Sequence, residues 1–178
     1  MADVTENTLR AAIKALTDVV APSVDPTDAL ANEQLRLVVD YLEFVHNRLD
    51  FLYERDRFEL RHHLAMARSL MDLGPTCSAA AAAAMQAAVG AGVGTYALSG
   101  ASMPDLKAAS AVLAAAIRVL VREAPAFDEA MRCKVERCVL DMSDHRLTFD
   151  RSWYMPLGFD PAPGEVPMLS VILARAGR

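Results

Sequence analysis

From about Asp28 to about Asp72 the chain carries no Pro and no Gly, and apolar residues recur at helical spacing along the whole stretch. The pattern predicts one very long helix, about 28–73, or two nearly collinear ones. At the standard rise of an α-helix such a stretch would reach roughly 68 Å, too long for the core of a small monomer. Apolar groups occupy two of its sides: Leu35, Val38, Val39, Leu42, Val45 and Leu49 on one, and Leu37, Phe44, Phe51 and Phe58 on the other. The first stripe is expected to pack a bundle. The second, Leu37, Phe44, Phe51 and Phe58, asks for a partner and is the expected interface of a homodimer.

Shorter helices flank this element. The first is predicted from about Thr5 to Val20, capped by Asp3 or Thr5, with Leu9, Ala12, Ile13, Leu16, Val19 and Val20 on one face and a stop at Ala21-Pro22. Thr27 or Asp28 caps the long helix, and Leu73-Gly74-Pro75 ends it. An Ala-rich helix comes next, from Ser78 to about Val89, either packed or acting as a linker, ended by Gly90, Gly92 and Gly94. Ser102 and Pro104 open another helix, which runs to about Arg122 with Leu106, Ala109, Leu113, Ala116, Ile117 and Leu120 inward. The last, about Phe127 to Phe149, turns Met131, Val135, Cys138, Val139 and Met142 inward. Pro156, Gly158, Pro161, Pro163, Gly164 and Pro167 make the C-terminal stretch irregular, and within it Met168–Leu173 docks as a short helix or strand. The fold class is therefore all-α: four principal helices plus an Ala-rich one. Residues 1–155 form the bundle, and a Pro/Gly-rich C-terminal segment, 156–178, packs on it within one domain.

Composition excludes several classes of function. With 178 residues, 53% hydrophobic and 23% charged, the chain can bury a real core. A net charge of −5 leaves no surplus of Lys and Arg for phosphate backbones, so neither nucleic acid nor an anionic membrane is an expected partner. No run is apolar enough for a signal peptide or a bilayer span, and a cytoplasmic protein is expected. Cys77, Cys133 and Cys138 lack paired spacing and read as buried thiols.

The sharpest chemical pattern is Glu43-x-x-His46, repeated as Glu59-x-x-His62, because a Glu and a His three apart on a helix can share a metal. Both motifs sit on one helix, too far apart to act together. A better set is His46 and His63 facing Asp141 and His145, which are four apart on the last helix; Zn, Fe or Mn would be the metal. Helical angles put His46, Tyr53, Asp56 and His63 within the apolar sector, Glu43 at its flank and Glu59 beyond it. The seam thus turns polar in its second half, and Asp56 and His63 need partners if buried. Arg55, Arg57 and Arg61 could bind an anion, although a run of alternating charge reads first as a solvated flank. Gly90, Gly92 and Gly94 lack the context of a phosphate loop, Cys77 has no nearby His, and Trp153-Tyr154-Met155 reads as an aromatic plug or a pocket rim.

Asp18-Val19-Val20-Ala21-Pro22 and Asp25-Pro26-Thr27-Asp28-Ala29, succeeded by the long amphipathic helix, resemble a group of small uncharacterised bacterial helical proteins. These are encoded beside aminoglycoside-phosphotransferase-like kinases and acyl-CoA dehydrogenases. The likeness covers about the first 70 residues. It implies an accessory role in small-molecule or acyl catabolism and carries over no site residues. The expectation is a self-associating accessory or interaction protein rather than an enzyme, with no cofactor. The alternatives are a metal-binding bundle, and a bundle binding an acyl or aromatic ligand among the methionines and Trp153.

Overall fold

The computed structural model describes residues 4–74 and 77–176. Among them are seven α-helices and no strand, which makes the protein all-α. The helices are α1 (Val4–Ala15), α2 (Ala29–His46), α3 (Leu52–Asp72), α4 (Ala79–Ala97), α5 (Met103–Glu123), α6 (Glu129–Tyr154) and α7 (Leu169–Ala176). None is long and apolar enough to cross a membrane. The Asp3 cap and the Pro75 stop lie outside the described residues.

The chain divides into two compact units. The first runs through Leu52 and includes Tyr154–Pro163; the second is Tyr53–Trp153 with the segment from Gly164 onward. Where one bundle over 1–155 was expected there are thus two bodies, and the boundary falls inside the long stretch. That stretch is two helices rather than one: α2 ends at His46, Asn47 caps it, and a 3-10 turn at Leu49–Phe51 leads into α3. Neither Pro nor Gly marks the break. Asn47 and Asp50, whose short polar side chains compete with helical hydrogen bonds, are its only local signal.

In the first unit, α1 continues through a π turn at Leu16–Val20 and a 3-10 turn at Ala21–Ser23 before the backbone extends at Val24. Ala21, directly before Pro22, keeps helical angles (φ −56°, ψ −44°), against the usual preference. The widened turn stands where the Pro ring would otherwise strike the carbonyl of Asp18. The Asp25 carboxylate accepts from the backbone N–H and hydroxyl of Thr27, and Asp28 caps α2 by accepting from Ala31 N–H at 2.9 Å. α1 contributes no fully buried side chain, and α2 contributes only Phe44, whose ring stacks on Tyr154 at 5.7 Å.

In the second unit α3 is covered on several sides, and Phe58, Leu60, Leu64, Met66, Ala67 and Leu70 are all buried. Phe58 stacks on Phe149 of α6 at 3.9 Å, while Leu64 meets α4 at Gly92. Ser102 and Asp105 form a reciprocal capping box that opens α5 with Pro104 in its first turn, and the expected α5 face is inward except for Ala109, which is half-buried. Ser78 caps α4 and also donates its N–H and hydroxyl to Glu123 at the far end of α5, both at 2.7 Å. Asp128 caps α6, which continues to Tyr154, beyond the expected Phe149, because no Pro intervenes before Pro156. In the C-terminal segment the expected short helix forms as α7, with Leu169 buried. Gly74 adopts φ +61°, the left-handed cap predicted for it.

The glycines that were to end the Ala-rich helix do not. α4 passes through Gly90, Gly92 and Gly94, burying Ala81, Met85, Ala88 and Gly92 on one face. A β-carbon at Gly92 would stand 2.8 Å from Leu113 Cδ1 and 3.1 Å from Leu64 Cδ2, so glycine here makes room for the Leu113 side chain of α5 and the Leu64 side chain of α3. Gly90 has open space around it. Gly92→Val is therefore expected to destabilise the fold by about 2 kcal/mol through overpacking. Gly90→Ala should stabilise it by up to about 1 kcal/mol through helix propensity. Urea titration monitored by circular dichroism measures both.

Candidate functional site

A groove of about 400 Å³ opens between α3 and α5 of the second unit. From α3 it is lined by Arg55, Asp56, Glu59 and His63, which recur at three- and four-residue intervals on one side of the helix. From α5 come Lys107 and Ser110, with Ala111 and Ala114 as low walls. Asp56 is only 4% exposed, and its Oδ2 is buried without a hydrogen-bond partner. The Lys107 ammonium stands 3.7 Å away, an ion-pair separation too long for a hydrogen bond. Burial pushes the Asp56 carboxyl above its usual range, against the pull of Lys107 and Arg55.

Its neighbours are held. Glu59 accepts from the Arg146 guanidinium at 2.9 Å, and Arg146 also donates to Asp150 at 2.9 Å. Burial opposes ionisation of Glu59, but Arg146 outweighs it and the carboxyl lies below its usual range. His63 Nδ1 shares a 2.7 Å hydrogen bond with the Ser110 hydroxyl, and burial lowers its proton affinity. Arg55 lays its guanidinium 4.9 Å from the Trp153 ring centre, and its Nε is buried without a hydrogen-bond partner.

Helical angle put Asp56 and His63 in the apolar sector of α3, where Asp56 is buried and His63 half-buried, but it missed His62, which is 8% exposed and stacked on Phe58. The signal was available: His62 stands four residues from Phe58, on the same side of the helix. Burial, with His63 and Arg146 nearby, depresses the His62 pKa to about 4. Ser110 was missed because a hydroxyl on an Ala-rich face carries no periodic signal.

The metal candidates are not gathered. His46 belongs to the first unit, in a pocket lined with Arg10, Ile13 and Glu43, with Nε2 3.7 Å from the Glu6 carboxylate. His63 is bonded to Ser110, His145 is exposed, and Asp141 borders a separate hollow with Cys133 and Cys138. Among the described residues no three His, Cys, Asp or Glu side chains converge to hold a metal ion. Helical angle alone fixed the side of each residue, not the depth or the facing register. The three arginines also part company, since Arg57 lies over Tyr96 at 4.3 Å and Arg61 over Phe58 at 5.5 Å. Cys133 is exposed rather than buried, while burial raises the pKa of the Cys138 thiol. Trp153 is 2% exposed with its ring 6.0 Å from that of Phe149, and Met66 and Met85 are core residues.

The expected dimer stripe is likewise divided. Phe44 and Phe58 are buried within the chain, Phe51 is half-buried and Leu37 is exposed. Val38, assigned to the packing side, is exposed too. The outward side of α2 instead carries Leu30, Leu37, Val38 and Tyr41, with Gln34 between them.

A histidine whose folded pKa lies below its unfolded value loses stability as pH falls from about 6.5 towards 4, because the unfolded chain takes up the proton first. The full shift corresponds to about 3 kcal/mol, reduced by solvent screening to about 2. Urea stability measured across that window should fall accordingly, and His62→Phe should flatten the slope. Compared with known proteins, the chain matches no family model, no curated protein and no solved structure.

Proposed function

We propose that the chain is a helical interaction protein that pairs with a second copy of itself through the outward side of α2 and acts as an accessory component rather than as an enzyme. One observation carries this reading: Leu30, Leu37, Val38 and Tyr41 are 71%, 39%, 49% and 59% exposed along one face of a single helix. A contiguous apolar face of this kind is costly in water and marks an interaction surface. Its flank is electrically closed, since Arg36 pairs with Glu33 and Asp40 of its own helix, each at 2.7 Å. A charged partner would find little to read there.

A second copy fits the pattern of the face. In an antiparallel two-fold pair centred between Leu37 and Val38, Leu30 meets Val45 and Gln34 meets Tyr41, so apolar groups face apolar groups and the phenol faces an amide. Phe44 supports the pair from within by fixing its helix, not by crossing the interface. The likeness of the first 70 residues to small bacterial helical proteins favours a setting in small-molecule or acyl catabolism.

Light scattering at about 10 µM, a concentration at which a micromolar dimer is well populated, tests the proposal. The expected mass is twice the 19.3 kDa of the chain. Val38→Asp should return it to the single-chain value with the helical circular dichroism unchanged. A wild-type mass of one chain, or a dimer indifferent to Val38→Asp, would overturn the assignment.

A further inference from the structure

The groove between α3 and α5 belongs to the second unit, whereas the pairing face proposed on α2 belongs to the first. We propose that it is a binding site for a small zwitterion of amino-acid size, whose ammonium group is taken by Asp56 and whose carboxylate is taken by Arg55 and Lys107.

The groove presents a buried acceptor and a buried donor from consecutive residues, neither of them hydrogen-bonded within the protein: Asp56 Oδ2, whose ion partner Lys107 stands 3.7 Å away, and Arg55 Nε. Leaving either group desolvated without a hydrogen bond is costly, so both call for a ligand that brings a donor and an acceptor together. The alternatives within the protein are already committed. Glu59 is held by Arg146, and the Nδ1 of His63 by Ser110. Lys107 lies at the rim with its side chain 62% exposed and 3.7 Å from Asp56, within reach of a ligand carboxylate by a swing of its stem. Trp153 beneath the Arg55 guanidinium keeps that donor in place.

Charge selects against simpler ligands. A bare anion would face the Asp56 and Glu59 carboxylates, and a bare cation would face Arg55 and Lys107. An acyl chain would desolvate these charges without pairing them. A divalent ion lacks a converging set of ligands among the described residues. The low walls at Ala111 and Ala114 leave space for a side chain, and about 400 Å³ lies within the range of small-molecule pockets.

The test uses the full chain, with thermal denaturation and isothermal titration calorimetry against the free α-amino acids. Primary amines and carboxylic acids of the same carbon skeleton serve as controls. At least one amino acid should raise the melting temperature saturably, with its one-charge analogues binding at least tenfold more weakly. Asp56→Asn should weaken binding at least tenfold while leaving the unliganded fold about as stable, because it removes a buried charge whose ion partner, Lys107, is exposed and makes no hydrogen bond to it. Lys107→Gln, at an exposed side chain, should weaken binding severalfold, and it carries the test should Asp56→Asn fail to fold. No response to any amino acid at roughly 10 mM, the weak end of metabolite binding, would overturn the proposal. So would equal binding of an amine or an acid alone, or binding indifferent to Lys107→Gln.

Discussion

The constraint on which the second unit depends is that α3 must be covered on several sides at once. Leu60, Ala67 and Leu70 are wholly inaccessible, and Phe58, Leu64 and Met66 nearly so. Burying such side chains contributes about 1.5–3 kcal/mol each for the larger ones, and only helices arranged around α3 can supply the cover. α4 supplies a buried face of Ala81, Met85, Ala88 and Gly92, α5 contributes Leu106, Leu113, Ile117 and Leu120, and α6 brings Phe149 onto Phe58. The first unit has no equivalent element. Its described helices bury one side chain fully, and its apolar surplus stays outside.

Covering α3 so completely also encloses, wholly or in part, the polar residues it carries. Asp56, Glu59, His62 and His63 are where a helix rich in charged residues meets a core. Each resolves the conflict differently. His62 gives up its charge and stacks as a flat ring; His63 trades protonation for a hydroxyl partner; Glu59 keeps its charge by taking Arg146. Of these four, Asp56 keeps a buried oxygen without a hydrogen bond, with Lys107 3.7 Å away across the groove. Packing and site are thus one event, since the helices that bury Leu60 and Leu64 also bring Lys107 and Ser110 opposite the acidic side of α3.

Much of the architecture was legible from residue order. The caps at Asp28, Ser78 and Ser102, the left-handed Gly74 and the inward side of α5 obey short-range rules, and those rules hold because their partners lie within four residues. The errors share a different origin. The break at Asn47–Phe51 has no strong breaker, and Gly90 to Gly94 reads as a terminator unless Leu64 and Leu113 are known to press on Gly92. At the site, the side of Asp56 and His63 could be read from helical angle. Their partners could not, because Lys107 and Ser110 stand about fifty positions away.

The sequence by itself determined that the protein is all-α, where most helices begin and that the seam of α3 turns polar, because periodicity and capping are local. Only the tertiary structure decided that Phe44 and Phe58 serve the interior, that the apolar surplus lies on Leu30, Leu37, Val38 and Tyr41, and that Asp56 Oδ2 is left without a hydrogen bond in a groove. Those outcomes depend on which side chains meet across helices and how far water is excluded there. No spacing along one chain segment encodes either quantity.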